Sequence, residues 1–232
     1  MLKDKLSKED KEFLKTYKAD DYEHPSVTVD MLIFTVIEDL SIMLIKRKNP
    51  PYKDKWAIPG GFVNIDESVD TAAKRELKEE TGIDCYLEQF KVFGEVDRDP
   101  RTRVISVAHL ALTPFTNLCK YKAGDDAKEV QFFDIDMLPD LAFDHKQIIE
   151  EGLKALKEKL EYTDIAFNLL PEEFTISDIQ DVYEMILRKE LDKSNFRRMI
   201  KSKFKLEETG RVQRKYQRPA KLYRRVKWKH YL

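Results

Sequence analysis

The sequence predicts an α/β protein of two domains, an α/β domain followed by a C-terminal winged helix-turn-helix domain. Three observations indicate this. β-branched apolar runs alternate with amphipathic helical segments over the larger, N-terminal part of the chain. The length of 232 residues is long for one compact domain and suits two. Beyond residue 172 the predicted order changes to helix, turn, helix and hairpin, which is the order of a winged helix-turn-helix.

Periodicity and turn residues place the elements of the first domain. Two β-branched runs separated by a short polar break predict a hairpin, and Gly82 is a natural helix C-cap. The predicted elements are strands 26–37 and 41–46, a short strand 56–58, a helix 66–81, strands 86–93, 104–112 and 129–134, and a closing helix from about 144 to 160.

Cap residues place the elements at both ends of the chain. Ser7 with Asp10 three residues later predicts a short N-terminal helix. Thr175 or Ser177 can cap one C-terminal helix and Ser194 can cap a second, over 195–203, before a hairpin over 212–226. We therefore divide the chain into a helical extension (1–24), the α/β domain (25–162), a linker ending in a proline (163–171) and the winged helix-turn-helix domain (172–232).

Composition excludes several classes of protein. Hydrophobic residues at 42% and aromatic residues at 11% can bury a real core. The longest apolar run, residues 31–37, is interrupted by Thr35 and is far shorter than the roughly 20 residues that cross a bilayer. The charged N-terminus has no secretory signal pattern. From these two features we expect a cytoplasmic protein without a membrane partner. Cys85 and Cys119 lack the spacing of a zinc site.

The charge of the chain is divided between its two parts. Residues 193–232 carry fifteen lysines and arginines against Glu207 and Glu208, a net charge of +13. Since the whole chain has a net charge of −1, the remainder carries −14. An acidic body joined to a basic C-terminal segment predicts different partners for the two parts.

A cluster of carboxylates lies on the helix predicted over 66–81. Glu76, Glu79 and Glu80 are three and four residues apart and share one helix face, where like charges destabilise by a few tenths of a kcal/mol per pair. A hard divalent cation such as Mg²⁺ takes oxygen ligands and would offset this repulsion. Gly60 and Gly61 precede the helix, and a backbone without Cβ atoms can approach an ion or a phosphate closely. In isolation, such a cluster is more often an ordinary acidic surface stripe.

The full spacing decides between these readings. Gly61 is followed after five residues by Glu67, and after seven more by the run Arg-Glu-Leu-Lys-Glu-Glu-Thr-Gly-Ile at 75–83. This pattern resembles the Nudix box at each defined position. The resemblance implies an α/β/α sandwich and Mg²⁺ or Mn²⁺ as cofactor. It also implies metal ligands at Glu76, Glu79, Glu80 and the Gly61 carbonyl.

The same resemblance implies hydrolysis of a pyrophosphate by attack of a metal-activated water on one phosphorus. The catalytic residues would be Glu76, Glu80, Arg75 and Glu129, with Glu67 in support. The general base stays open between the box residue Glu76 and a carboxylate of a later loop, for which Glu129 and Asp126 are candidates.

Segments outside the box resemble ADP-ribose pyrophosphatases and their regulator relatives. They are residues 97–101 with 104–108, 123–127 and 141–145. Arginine presents a fixed fork of donors that suits a diphosphate, although a lone arginine is more often surface charge. The predicted substrate-binding residues are Arg98, Arg101, Arg103 and Phe62. His145 could equally form a helix cap pair with Asp144.

The second C-terminal helix has a basic face and an apolar face, as a helix in a DNA major groove requires. A solvated tail or a patch that grips the acidic body is less favoured, given the charge of +13. The predicted DNA-binding residues are Ser194, Asn195, Arg197, Arg198 and Lys201 on the helix, and Arg214, Arg218 and Lys221 on the hairpin.

A Nudix box followed by residues 192–198 and 218–223 resembles the NrtR-type Nudix-related transcriptional regulators. This resemblance implies a homodimer that binds a double-stranded operator and releases it when ADP-ribose or a related nucleoside-diphosphate sugar occupies the Nudix domain. Many of those regulators have a damaged box, whereas this chain keeps every glutamate, which favours retained hydrolysis. The alternatives are a metabolic ADP-ribose pyrophosphatase without DNA regulation and a repressor that senses its ligand without turnover.

Overall fold

A computed structural model describes residues 6–18, 23–118, 127–213 and 219–226. The elements follow the predicted order, with three additions: the short strand β4, the short helix α3 and a 3-10 helix in the predicted linker. They are α1 (Lys8–Thr16), β1 (Ser26–Val36), β2 (Leu40–Arg47), β3 (Trp56–Ala57), β4 (Gly60–Phe62), α2 (Val69–Thr81), β5 (Tyr86–Phe93), β6 (Val104–Leu112), α3 (Phe115–Leu118), β7 (Ala127–Asp134), α4 (His145–Tyr162), a 3-10 helix (Ile165–Leu169), α5 (Ile176–Leu187), α6 (Lys193–Lys203), β8 (Leu206–Gln213) and β9 (Ala220–Arg225).

A seven-stranded mixed sheet organises the first domain. Its main path is β3-β2-β1-β6-β5, with β4 paired to β1 and β7 paired to β2. β1 and β6 run parallel along nine residue pairs, while β1 and β2 form the predicted antiparallel hairpin. β1 therefore lies at the centre of the sheet, which explains its long buried apolar run.

Alternation along β1 divides the core into two layers. Leu32 and Phe34 face the layer that contains Ile148 and Leu156 of α4. Met31 and Ile33 face the opposite layer, which contains Leu77 of α2. Because successive side chains of a strand point to opposite faces, this one strand is covered by helices on both sides. The result is the predicted α/β/α sandwich.

Local caps set the limits of α2. The helix begins at Val69 rather than at the predicted Asp66, because the Ser68 hydroxyl accepts a hydrogen bond from the Thr71 amide. It ends at Gly82, whose φ of 69° is left-handed as expected for a glycine C-cap. α1 has the predicted capping box of Ser7 and Asp10, and it buries none of its residues.

The segment predicted to be a linker is structured. Residues Ile165–Leu169 form a 3-10 helix in which Ile165, Ala166 and Phe167 are buried. They join one continuous apolar core with α4 and the C-terminal helices. The segment over 163–171 therefore connects the two parts of the chain by packing between them.

The C-terminal domain contains α5, α6 and the antiparallel β8–β9 hairpin. Thr175 caps α5 through a capping box with Asp178, one of the two predicted caps. Asp192 caps α6, in place of the predicted Ser194, because its side chain accepts from the Asn195 amide. The hairpin begins at Leu206, earlier than predicted. No helix within the described ranges is both long and apolar enough to cross a membrane.

Candidate functional site: the Nudix cavity and the basic helix

Arg75 organises the carboxylates of the box. Its Nε and Nη2 donate to Glu67 at 3.1 and 2.6 Å, and its Nη1 donates to Glu76 at 2.7 Å and to Glu79 at 3.0 Å. A further bond reaches the Phe62 carbonyl at 3.1 Å. Ion pairing with Arg75 lowers the pKa of Glu67 to about 2. Arg75 therefore fixes three carboxylates and the loop before the helix in one arrangement.

The glycine loop lies directly against the glutamates. The Gly60 amide donates to Glu80 at 2.8 Å. A Cβ atom on Gly61 would lie 2.2 Å from a carboxylate oxygen of Glu76, which is closer than atoms can approach. Only glycine leaves room for that carboxylate beside the loop. The space and the oxygen donors at this point fit a hard divalent cation.

The three predicted metal ligands line one cavity without forming a tight cluster. No choice of one oxygen from each of Glu76, Glu79 and Glu80 places all three within 4.8 Å of one another. Arg75 draws Glu76 and Glu79 towards itself, while Glu80 turns to Gly60. Within the described ranges, three carboxylates do come within 4.8 Å of one another, but they lie outside the cavity, at Asp39, Asp134 and Asp136.

The cavity has a volume of about 910 Å³ and is bounded by the box, the ends of β1 and β2, and the start of α4. It brings together Glu76, Glu79, Glu80, Arg75, Gly61, Phe62, Arg98 and Arg101. Two predicted site residues do not line it. Arg103 donates to the Glu95 carbonyl, and Glu129 pairs with Lys46 at 3.5 Å. The alternative base Asp126 lies outside the described residues.

Arg98 has a structural environment that its sequence position did not reveal. Its guanidinium donates two bonds of 2.8 Å to Asp144, and its side chain is only 5% exposed. Asp30 lies 3.5 Å away and also accepts from Ser106. Two donors of the Arg98 guanidinium already bind Asp144. Arg98 can therefore orient the wall of the cavity that it lines.

Arg101 is the more accessible of the two cavity arginines. It pairs with Asp99 at 2.7 Å and is 42% exposed. Its guanidinium carbon lies 5.4 Å from the Phe62 ring centre and 5.8 Å from that of Phe143. Two aromatic rings around one cation form a surface that suits a base or a sugar next to a phosphate.

The structure adds residues that sequence reasoning missed or left open. Asp30 is a buried carboxylate in the central strand β1. A charged residue in an otherwise uncharged strand could have marked it in the sequence as a candidate site residue. His145 is buried, and its Nδ1 accepts from the Ile58 amide at 2.9 Å. Burial lowers the pKa of His145 and favours the neutral ring. Asp144 occupies the N-cap position of α4 but makes no side-chain cap, since Arg98 engages it.

The predicted DNA-binding residues of α6 share an exposed face. Ser194, Asn195, Arg197 and Arg198 are exposed, while Phe196 and Ile200 are buried against the domain. Two other predicted residues, Lys201 and Lys221, are exposed near the hairpin, where Lys201 lies 5.0 Å from the Tyr223 ring centre and Lys221 pairs with Glu208. Arg214 and Arg218 lie outside the described residues.

Comparisons with known families match both parts of this description. Residues 25–152 match the NUDIX domain, and residues 166–225 match the NrtR DNA-binding winged helix domain. The chain thus combines a Nudix domain with a winged helix. It belongs to the Nudix family, in the NrtR group of Nudix-related transcriptional regulators. Nudix hydrolases use a divalent metal ion, in agreement with the donor set around Gly61.

Three similar proteins illustrate the relationship. The ADPR responsive transcriptional repressor NtrR of Acinetobacter baylyi is 39% identical over 91% of this chain and 86% of its own length. The ADP-ribose pyrophosphatase of Methanocaldococcus jannaschii is 46% identical over 61% of this chain and 79% of its own length. The crystal structure of Shewanella oneidensis NrtR complexed with a 27mer DNA has a TM-score of 0.78 at 31% identity and covers 86% of this chain and 93% of that one.

Proposed function

We propose that this chain is a transcriptional regulator that releases its operator when ADP-ribose binds, and that its Nudix domain hydrolyses this ligand with Mg²⁺ or Mn²⁺. One observation carries the proposal. A cavity of about 910 Å³, lined by the three predicted metal ligands Glu76, Glu79 and Glu80, occurs in the same chain as a winged helix with an exposed basic face. This volume lies within the range of small-molecule sites, roughly 300 to 1,000 Å³.

The residues of the cavity have separate roles in this proposal. Glu76, Glu79 and Glu80 would hold the cation, which when bound neutralises charge as the bond to the leaving phosphate lengthens. Arg75 keeps the glutamates on one side of the cavity through the bonds that it donates. Gly61 leaves room for the Glu76 carboxylate beside the loop.

The rest of the cavity suits the other groups of ADP-ribose. Phe62 and Phe143 offer aromatic faces to the adenine or a ribose, and Arg101 between them can reach a phosphate oxygen. The Nδ1 of neutral His145 accepts from the Ile58 amide, so its Nε2 carries the proton. This N–H can donate to a ligand in the cavity that His145 lines. Arg101 and His145 are held by hydrogen bonds before the ligand arrives, which reduces the entropic cost of binding.

The winged helix would bind the operator as part of a homodimer. α6 presents Arg197, Arg198 and Asn195 to solvent on one face, as required for contact with bases and phosphates. Ligand control requires that ADP-ribose bind more tightly to a form of the dimer that fits the operator poorly.

A second candidate function is a repressor that senses ADP-ribose without turnover. It is favoured by the spread of the three predicted metal ligands, since Arg75 already engages Glu76 and Glu79. The rate of ADP-ribose hydrolysis by Glu80→Gln separates the two candidates, because a repressor without turnover has no activity for this substitution to remove.

A mobility-shift titration tests the regulatory part. We expect the full chain to retard a fragment of its own upstream region at moderate salt, and ADP-ribose to release the fragment in a dose-dependent way. AMP, which lacks the pyrophosphate, is the matched control and should release little. If the upstream fragment is retarded no more than a scrambled fragment, the metabolic pyrophosphatase is the better description.

A further inference from the structure

Helix α4 connects the Nudix cavity to the basic helix α6. His145, its first residue, lines the cavity. Leu160 and Glu161, in its last turn, accept hydrogen bonds from Lys203 of α6. One continuous helix of 18 residues, roughly 27 Å long at 1.5 Å per residue, therefore contacts both functional regions.

The first turn of α4 is bonded to the walls of the cavity. Asp144, at its N-cap position, holds Arg98 through two bonds of 2.8 Å. His145 accepts from the amide of Ile58, two residues before the glycine loop that contacts the box glutamates. A ligand that moves Arg98 or this loop therefore acts directly on the start of α4.

The middle of α4 is seated tightly on the sheet. Ile148, Ile149 and Leu156 are fully buried. A Cβ atom on Gly152 would lie 2.0 Å from a methyl carbon of Leu32, so the helix backbone rests directly against β1. A helix packed this closely has little freedom to bend, and a displacement at one end is passed to the other.

The last turn of α4 ends on α6. The Lys203 ammonium donates to the Leu160 carbonyl at 3.0 Å and to the Glu161 carbonyl at 2.7 Å. Carbonyls in the last turn of a helix have no partner within the helix and attract cations. Lys203 is itself in the last turn of α6, the helix that carries Arg197 and Arg198. This contact ties the position of the basic helix to that of α4.

We propose that α4 carries the ligand signal from the Nudix cavity to α6, and that the contact of Lys203 with the end of α4 delivers it. The inference rests on the proposed function, since it explains how occupancy of that cavity changes DNA binding. In free-energy terms, Lys203 contributes to the coupling between two sites, so its removal lowers the effect of each ligand on the affinity for the other.

The test compares Lys203→Met with Lys203→Arg and Lys205→Met. Methionine keeps the apolar stem and removes the ammonium, while arginine restores a donor. Lys205→Met removes the same charge two residues away, from an exposed side chain. The full chain is titrated with operator DNA in the absence and presence of α,β-methylene ADP-ribose, whose P–C–P bridge resists hydrolysis. Lys203→Ala, with the ADP-ribose hydrolysis rate as a check of folding, replaces Lys203→Met if that variant does not fold.

In the wild type we expect the analogue to weaken operator binding by roughly 5- to 150-fold, the usual size of such coupling. Lys203→Met should reduce this effect to less than about twofold, while ADP-ribose hydrolysis stays near the wild-type rate. Lys203→Arg and Lys205→Met should keep most of the effect. A full response in Lys203→Met, or an equal loss in Lys205→Met, would overturn the role of Lys203. A wild type that binds the operator but ignores the analogue would overturn the proposed regulation itself.

Discussion

Arginines are held differently in the Nudix cavity and on helix α6. In the Nudix cavity, Arg75 donates to three carboxylates and Arg98 forms a two-bond pair with Asp144 while almost fully buried. On α6, Arg197 is exposed and Arg198 donates to the neutral amide of Asn195. The cavity fixes Arg75 and Arg98, whereas α6 leaves Arg197 and Arg198 accessible to solvent.

The difference reflects what each region has to do. A hydrolytic site acts on atoms whose positions must be held closely, so its charged groups need partners that restrict them. A DNA surface gains affinity by replacing the counterions of phosphates, so its cations must be able to leave solvent and reach the backbone. Substitutions in the two regions should therefore change different observables.

The largest expected effect is on hydrolysis. Glu80→Gln keeps an oxygen for the Gly60 amide but removes the charge of one proposed metal ligand, and we expect kcat for ADP-ribose to fall by about 10²- to 10⁴-fold. AMP formation measured by chromatography with Mg²⁺ tests this. Operator binding should stay near wild type, and Glu158→Gln on the exposed side of α4 is the control. Equal, background rates in wild type and Glu80→Gln would instead favour the sensor without turnover.

Arg197→Ala is expected to have a smaller effect, and only on DNA binding. Removal of an arginine that contacts the operator should weaken the free energy of DNA binding by about 1–3 kcal/mol, or the affinity by roughly 5- to 150-fold. The rate of ADP-ribose hydrolysis should not change. If Arg197 contacts phosphate, the slope of log K against log salt should also decrease by about 1. Fluorescence anisotropy at several salt concentrations measures both quantities. Lys157→Ala, an equal charge change on α4, should have no effect, and a comparable loss there would remove the specific role of α6.

The smallest expected effect concerns stability against acid. The pKa of Glu67 is lowered to about 2 from an ordinary 4.5, chiefly by its hydrogen bonds from Arg75. A depressed carboxyl pKa stabilises the folded state above the ordinary value, and this stability is lost as the pH falls through the folded value. The melting temperature of wild type should exceed that of Glu67→Gln above pH 4.5, and the difference should disappear towards pH 2.

Circular dichroism melts at several pH values, with Glu158→Gln as the control, measure this difference. If the melting temperatures of wild type and Glu67→Gln differ by the same amount over the whole pH range, the pair with Arg75 does not stabilise the fold through the charge of Glu67.

Much of the fold follows from local patterns. The strands at 86–93 and 104–112 have the predicted limits, because aromatic, β-branched and other apolar residues fill most of both segments. Helix starts were less accurate. Ser68 and Asp192 cap α2 and α6, whereas Asp66 and Ser194 were predicted as the first residue and the cap, since several residues near each end are able to cap a helix.

The sequence by itself determined the box on α2, the charge of α6 and the order of the elements, because these depend on residues a few positions apart. The tertiary structure decided which carboxylate each arginine binds. Asp144 and Arg98 are 46 residues apart, and His145 and Ile58 are 87 apart. Such partners meet only when the strand order of the sheet and the seating of α4 bring them together. Spacing along the chain contains no trace of that arrangement.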